Sequence, residues 1–333
     1  MPVEWITSEA DFHALSSEWN ALLKKSAIHV PFLRYEYLCS WWQTKGGGEW
    51  EDGELAIQIS RAPKGELQGI APFFGLDQTL MLLGSHEISD YLDLIVPEER
   101  LDTFLNDALG NLAQQWNKID FYNLLESSPT LPALERFASR EGWHLSQERI
   151  QPSPLLTLPA RWETYLDQLD SRYRHEIERK LRRAEGYFLP VDWYFVQEEK
   201  DLDAEIDDFM RLMAYSPEKA DFLTQVMESQ MRKAIHNAFK AGWLQLTFLT
   251  VGGKKAASYL NFDYQNRIYV YNSGLNPIFE NLSPGWVLLS YLIQWAIQEK
   301  REVVDFMRGD EAYKYHFGGK DRFVYRATLE RAG

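Results

Sequence analysis

The sequence predicts a mixed α/β protein built from two units of similar plan. Three observations point there. Short β-branched and aromatic runs bounded by turn residues alternate with helical periodicities along the chain. One order of elements (strand, turn, strand, strand, helix, strand) occurs twice. A length of 333 residues, 45% of them hydrophobic, suits about two cores rather than one.

In the first copy, Glu54–Ser60 and Leu67–Gly75 are expected strands around the turn "RAPKGE". Asp90–Val96 is expected as a third strand, Leu101–Leu112 as a helix and Lys118–Leu124 as a last strand. In the second, Trp243–Thr250 and Ala256–Tyr264 flank the turn "VGGKK". Arg267–Ser273 follows, then a helix through Val287, Leu288, Tyr291, Leu292 and Trp295, then Glu302–Gly309. Two Asp-Phe pairs, at Asp120 and Asp305, lie 185 positions apart, and Ala71 and Ala257 lie 186 apart. Helices are expected ahead of each copy, at Glu9–Leu23 and Arg34–Gln43, then at Asp201–Met213 and Thr224–Ala241. Gln151–Ala160, with three prolines, reads as a linker. Tyr165–Gly186 reads as a basic helix between the halves. The expected divisions are 1–150, 151–190 and 191–333.

The net charge of −14 argues against a general nucleic-acid binder. Ser171–Arg183 is a local exception, with six Arg/Lys against two Glu. It reads as a solvated linker helix or as a surface for phosphates. The single cysteine, Cys39, excludes an intrachain disulfide and fits a reducing compartment. Its apolar surroundings read as core. The N-terminus lacks the basic and apolar regions of a signal peptide, and no apolar run reaches about 18 residues. A cytoplasmic protein with no membrane span is expected. There is no Walker A motif, no Gly-x-Ser-x-Gly element and no His or Cys spacing suited to a metal.

One turn stands out. In "NLSPGWVLL", Ser283 is an expected N-cap and Pro284 the first helical residue. Gly285 costs stability in a first turn unless something approaches the backbone closely. The matching turn of the first copy carries Pro97, Glu98, Glu99 and Asp102, acids that favour the helix dipole and repel an anion. The second copy has no acid there, so Leu282–Trp286 is the candidate anion site. A well-capped helix is the plainer alternative. "MRGDEAYKYHF" (Met307–Phe317) is the densest polar cluster after a strand, and loops at strand ends often carry function. His316 reads as packed beside aromatics.

A strand followed by an anion-accepting turn and helix resembles the core of the GNAT acyltransferases. "SPGWVLLSYLIQWAIQEKREVVDFMRGDEAYKYHFGGK" (Ser283–Lys320) resembles the C-terminal signature of CelD-type acetyltransferases, a branch linked to polysaccharide biosynthesis. "SDYLDLIV" (Ser89–Val96) and "RHEIERKLRRAEG" (Arg174–Gly186) look like the same family. That family is similar in turn to the FemAB peptidyltransferases, which are tandem GNAT-like domains. The resemblance implies two tandem GNAT-like domains joined by the basic helix. The second would bind acetyl-CoA or another acyl-CoA, and the first, its own cofactor site degenerate, would shape the acceptor site at the domain interface. Ser283, Gly285 and Trp286 would take the pyrophosphate, and the backbone of Val270, Tyr271 and Asn272 the thioester. Lys314 matches a functional lysine of the Fem ligases in position, although Tyr313 replaces the Phe expected before it. Arg308 and Lys314 can bind phosphate or stabilise an oxyanion, Asp310 or Glu311 can take a proton, and Tyr313 or Tyr315 can protonate a leaving thiolate. Asp90, Tyr91 and Asp93 can attract an amine or hydroxyl-rich acceptor. The expected activity is acyl transfer, N-acetylation foremost, to an amine or hydroxyl of a sugar, polysaccharide precursor or other small acceptor. A Fem-like transferase using aminoacyl-tRNA is the first alternative, and a non-catalytic partner in polysaccharide or envelope assembly the second.

Overall fold

The computed structural model describes residues 3–84, 86–110, 112 and 116–331. Met1, Pro2 and Asn111, which fall in stretches read above, lie outside the described residues. The chain divides into two compact units, Met1–Pro152 with Arg322–Gly333, and Ser153–Asp321. Residues 153–190, read above as a separate linker and helix, lie inside the second unit.

The expected α/β class is what the structure shows. The second unit holds a six-stranded mixed sheet in the order Val191–Phe195, Leu244–Val251, Lys254–Tyr264, Arg267–Leu275, Val303–Asp305, Leu155–Thr157. Its pairs are antiparallel except Arg267–Leu275 with Val303–Asp305, which run parallel. A parallel pair needs a crossover, and the helix Pro284–Gln298 supplies it. Val287, Leu288, Leu292 and Ile293 of this helix share one core cluster with Ile268 and Val270 of the sheet and with Ile177 and Leu181 of the basic helix. Burial against both neighbours explains why the run is apolar almost all round. The basic stretch forms two helices, Trp162–Gln168 and Ser171–Glu185. They break at Asp170, whose carboxylate accepts from Arg172 N–H.

The first unit has a three-stranded sheet of Val3–Ile6, Ile57–Arg61 and Leu67–Ala71. Beside it is a six-stranded sheet in the order Glu54–Leu55, Phe73–Leu76, Thr79–Leu82, Lys118–Leu125, Phe323–Arg331, Trp143–Pro152. Here Thr79–Leu82 runs parallel to Lys118–Leu125, with the helix Leu101–Leu109 between them in sequence. The third strand of this copy is therefore Thr79–Leu82 and not Asp90–Val96. The latter segment is buried, but its one ladder contact is an isolated bridge between Ile95 and Ile70.

With that correction the internal duplication is clear. Each copy has a hairpin closed by two left-handed residues, Asp77-Gln78 (φ 46° and 65°) in the first and Gln265-Asn266 (φ 53° and 55°) in the second. Each then has a helix and a parallel strand carrying an aspartate. Asp120 and Asp305 are both buried, and each faces an arginine, Arg326 at 2.6 Å and Arg267 at 3.2 Å.

Candidate active site

The site is built around the head of the Pro284 helix. Asn276 Oδ1 accepts from Ile278 N–H at 3.1 Å and starts a 3₁₀ turn, Pro277–Leu282. Ser283 ends that turn in the left-handed region (φ 50°, ψ 57°). Its N–H donates to Glu280 O, and its carbonyl accepts from Trp286 and Val287 N–H at 3.0 and 3.2 Å. Pro284 has no N–H. Gly285 is thus the residue of this turn whose amide is not committed to a turn carbonyl. The expected run of open amides narrows to this one.

The Ser283 side chain does not cap the helix. Its hydroxyl accepts from Lys180 Nζ at 2.6 Å, and the same ammonium sits 4.9 Å from the centroid of the Trp286 ring and 3.2 Å from Glu176 Oε1. Gly285 is glycine for a packing reason as well. A Cβ there would lie 3.0 Å from Leu275 Cδ2 and 3.8 Å from the Tyr259 hydroxyl, which donates to Gly285 O.

In front of this turn opens a cavity of about 560 Å³, bordered by Ser283, Gly285, Trp286, Leu275, Ser273 and Lys219 among others. The strand Arg267–Leu275 forms one wall. Its parallel partner stops pairing at Tyr269 with Asp305, so Val270 to Leu275 run on with that edge uncovered by the sheet. A register shift places Asn272 opposite Leu260 and Val270 opposite Asn261, and leaves Tyr271 as the extra residue of a bulge. The other wall is the end of the helix Glu199–Met213. It comes so close to the strand that a Cβ on Gly274 would lie 2.6 Å from the Leu212 and Met213 backbone. That approach carries Ser216 and Lys219 to the cavity. Lys219 Nζ donates to Asn272 Oδ1 at 2.9 Å and to Ser273 O at 2.5 Å. Burial holds this amine below the usual lysine range, with the Glu311 carboxylate acting the other way.

The loop after Val303–Asp305 is held from inside by Lys314. Its ammonium is 2% exposed and donates to the carbonyls of Met307, Arg308 and Gly309 at 3.2, 2.6 and 3.3 Å, with Glu311 Oε2 at 2.8 Å. Met307 (φ 61°) and Gly309 (φ 111°) take the left-handed conformations that turn these carbonyls inward. Asp310 is exposed and Arg308 half-buried. Tyr313 lies on the short helix Ala312–His316. Burial, then the nearby Tyr259 and Glu311, push its phenol well above the usual range. His316 stacks on Tyr173 at 4.2 Å.

The three residues expected in the first unit are placed differently. Asp93 is fully buried; its carboxylate accepts from Ser128, Thr130 and Leu94 N–H, and burial pushes its pKa up to about 6. Tyr91 is also buried, and its hydroxyl accepts from Arg322 at 2.8 Å. Asp90 is half-buried.

The structure thus gathers Ser283, Gly285 and Trp286 on one cavity and sets Val270, Tyr271 and Asn272 on the strand leading to it. Tyr313 joins them through Tyr259. Lys180, Lys219 and Tyr259 belong to this constellation without having been singled out from sequence. Gly274 lies inside the strand, where a glycine permits the close approach of another segment.

The fold has counterparts among known proteins. Residues 171–315 match the acetyltransferase (GNAT) domain. The matched segment holds the Pro284 helix and most of its neighbours, with Lys180, Lys219 and Lys314. No curated protein matches the sequence. Among solved structures, FemX has a TM-score of 0.65 at 12% identity, covering 98% of this chain and 97% of its own. L-PGS from Bacillus licheniformis has a TM-score of 0.60 at 11% identity, covering 93% and 90%. The C-terminal domain of a putative lysylphosphatidylglycerol synthetase from Agrobacterium fabrum has 0.55 at 10%, covering 96% and 92%. At these identities the likeness is one of fold. Among the described residues no helix is long and apolar enough to cross a membrane, and no cluster of potential metal ligands occurs.

Proposed function

We propose that this protein is an acyltransferase whose second unit takes an acyl group from the thioester of coenzyme A and passes it to an amine or hydroxyl. The observation that carries this reading is the cavity of about 560 Å³ at the head of the Pro284 helix, with Gly285 on its border and the Lys180 ammonium bound to the bordering Ser283 hydroxyl. A cation placed against the positive end of a helix is unfavourable by itself and becomes favourable when an anion joins them. The diphosphate of the donor supplies that anion. The uncovered edge of Val270–Leu275 offers backbone groups to the donor's amide-bearing arm, as an added strand would. Near the bulge, the backbone of Asn272 faces the acyl carbon and stabilises its developing oxyanion. Tyr313, kept protonated by burial, returns a proton to the leaving thiolate. Glu311 or Asp310 accepts the proton of the attacking group.

The resemblance of Ser283–Lys320 to CelD-type enzymes supports a saccharide or polysaccharide-precursor acceptor. Calorimetry with acetyl-CoA tests the donor site, and thiol release against pools of amino sugars and small amines tests turnover. Absence of any heat of binding defeats the reading and leaves the non-catalytic partner in envelope or polysaccharide assembly.

The Fem-like alternative draws support from the likeness to FemX along nearly the whole chain. The basic helix speaks less for it. Arg174 pairs with Asp167 and Glu178, Arg179 with Glu176 and Arg182 with Glu178, so much of its charge is neutralised within the two helices. Salt-dependent binding of aminoacyl-tRNA, lost on reversing Arg179, Arg182 and Arg183, supports this alternative; a flat titration removes it.

A further inference from the structure

Lys219 has a chemistry that neither the sequence motifs nor the reaction above calls for. It is a primary amine bordering a cavity where an activated acyl group is expected to lie. We infer that Lys219 is a self-modification site, acylated by the protein's own thioester donor, and that the resulting amide occupies the cavity and shuts it. The inference rests on the acyl-CoA reading of the cavity.

The geometry favours it in three ways. First, Lys219 is placed by backbone packing rather than by a flexible reach across solvent. The Glu199–Met213 helix sits directly on Gly274, and the short helix Pro217–Phe222 follows within four residues. Second, the amine has two close acceptors and one distant one: Asn272 Oδ1 at 2.9 Å, Ser273 O at 2.5 Å and Ser273 Oγ at 3.4 Å. An ammonium has three N–H donors and a neutral amine two with a lone pair. The two near oxygens can hold both donors of the neutral form, and Ser273 itself borders the cavity. Third, no carboxylate lies within ion-pair distance of Lys219 among the described residues, unlike Lys255, which pairs with Glu205 and Asp208. Burial therefore acts on this amine with only the field of Glu311 opposing it, and the nucleophilic form is more populated than on an exposed lysine.

The step balances without a further reactant. The Lys219 nitrogen bonds to the thioester carbon, the carbon–sulfur bond breaks, and the amine proton goes to the leaving thiolate to give free thiol. An amide is far less reactive than a thioester, so the acyl group stays. Modification thus removes the amine's positive charge and places the acyl chain against Leu275 and Gly285. An excess of donor over acceptor would switch the protein off.

The test uses the full chain and acetyl-CoA, with tandem mass spectrometry locating the acetyl groups. Lys219 should be acetylated about tenfold faster than the exposed Lys24 and Lys200, as expected of an amine held beside a bound donor. Added free CoA should suppress the reaction. Lys219→Arg should lose this acetylation. If calorimetry shows acetyl-CoA bound but Lys219 reacts no faster than Lys24, or reacts equally with CoA in excess, self-modification is overturned and the donor site stands. If acetyl-CoA does not bind at all, both fall together.

Discussion

The ammonium of Lys180 stands 2.6 Å from the hydroxyl oxygen of Ser283, at the end of a helix where partial positive charge already accumulates. Glu176 offsets part of the repulsion. Lys180→Met should therefore change the stability of the free protein by less than about 1 kcal/mol. It should weaken acetyl-CoA binding roughly tenfold or more, the value of a charge-assisted contact to phosphate. Calorimetry and denaturant melts on the same variant check both halves, and unchanged affinity removes Lys180 from the donor site.

Lys314 separates a structural from a chemical role. Its ammonium is enclosed by three carbonyls and one carboxylate, so Lys314→Met leaves buried acceptors without donors. The expected loss is about 2–4 kcal/mol of folding stability, read as a lower urea midpoint. A variant of native stability with slow turnover would instead assign the ammonium to the reaction itself.

Gly285 should discriminate between bulk and charge. The Cβ of Gly285→Ala meets only the tip of Leu275, an exposed and flexible side chain, so stability should fall by no more than about 1 kcal/mol. Gly285→Glu brings a carboxylate to the turn whose Ser283 binds Lys180 and should abolish acetyl-CoA binding at equal protein concentration. Equal affinities for the two variants would place the diphosphate elsewhere.

Asp93 predicts a pH signature of the first unit. Its folded pKa, about 6, lies above the usual aspartate value of 3.8, so the folded state binds more protons between those values. The contribution of this group to stability is complete below the lower value, falls as pH rises through the window and is flat above it. The span corresponds to about 3 kcal/mol at roughly 1.4 kcal/mol per pKa unit. Asp93→Asn should show less loss of stability than the parent between pH 4 and 6 in parallel urea titrations. Parallel curves would show that the carboxylate titrates normally.

Much of this arrangement was legible in the sequence, and the gaps have physical causes. The helices Tyr35–Gln43, Glu199–Met213 and Gln225–Lys240 fall within one or two residues of their expected bounds, the last two because each buries largely one face. The strand Thr79–Leu82 escaped because its hairpin turn uses Asp77 and Gln78, neither of them glycine, in the left-handed conformation. Asp90–Val96 was mistaken for a strand because full burial erases the alternation that separates a strand from a packed irregular segment. At the site, Ser283 and Gly285 announced themselves locally. Lys180 meets Ser283 across 103 residues and Lys219 meets Asn272 across 53, and a charged residue read in isolation is assigned to water.

The placement of Phe323–Arg331 between Lys118–Leu125 and Trp143–Pro152 has a bearing on synthesis. A nascent chain would expose both flanking edges to water while the whole second unit is still being made. The first unit must wait for the ribosome to deliver a segment encoded after the whole of the second. A prematurely terminated product would carry two unsatisfied edges and be marked for degradation or aggregation.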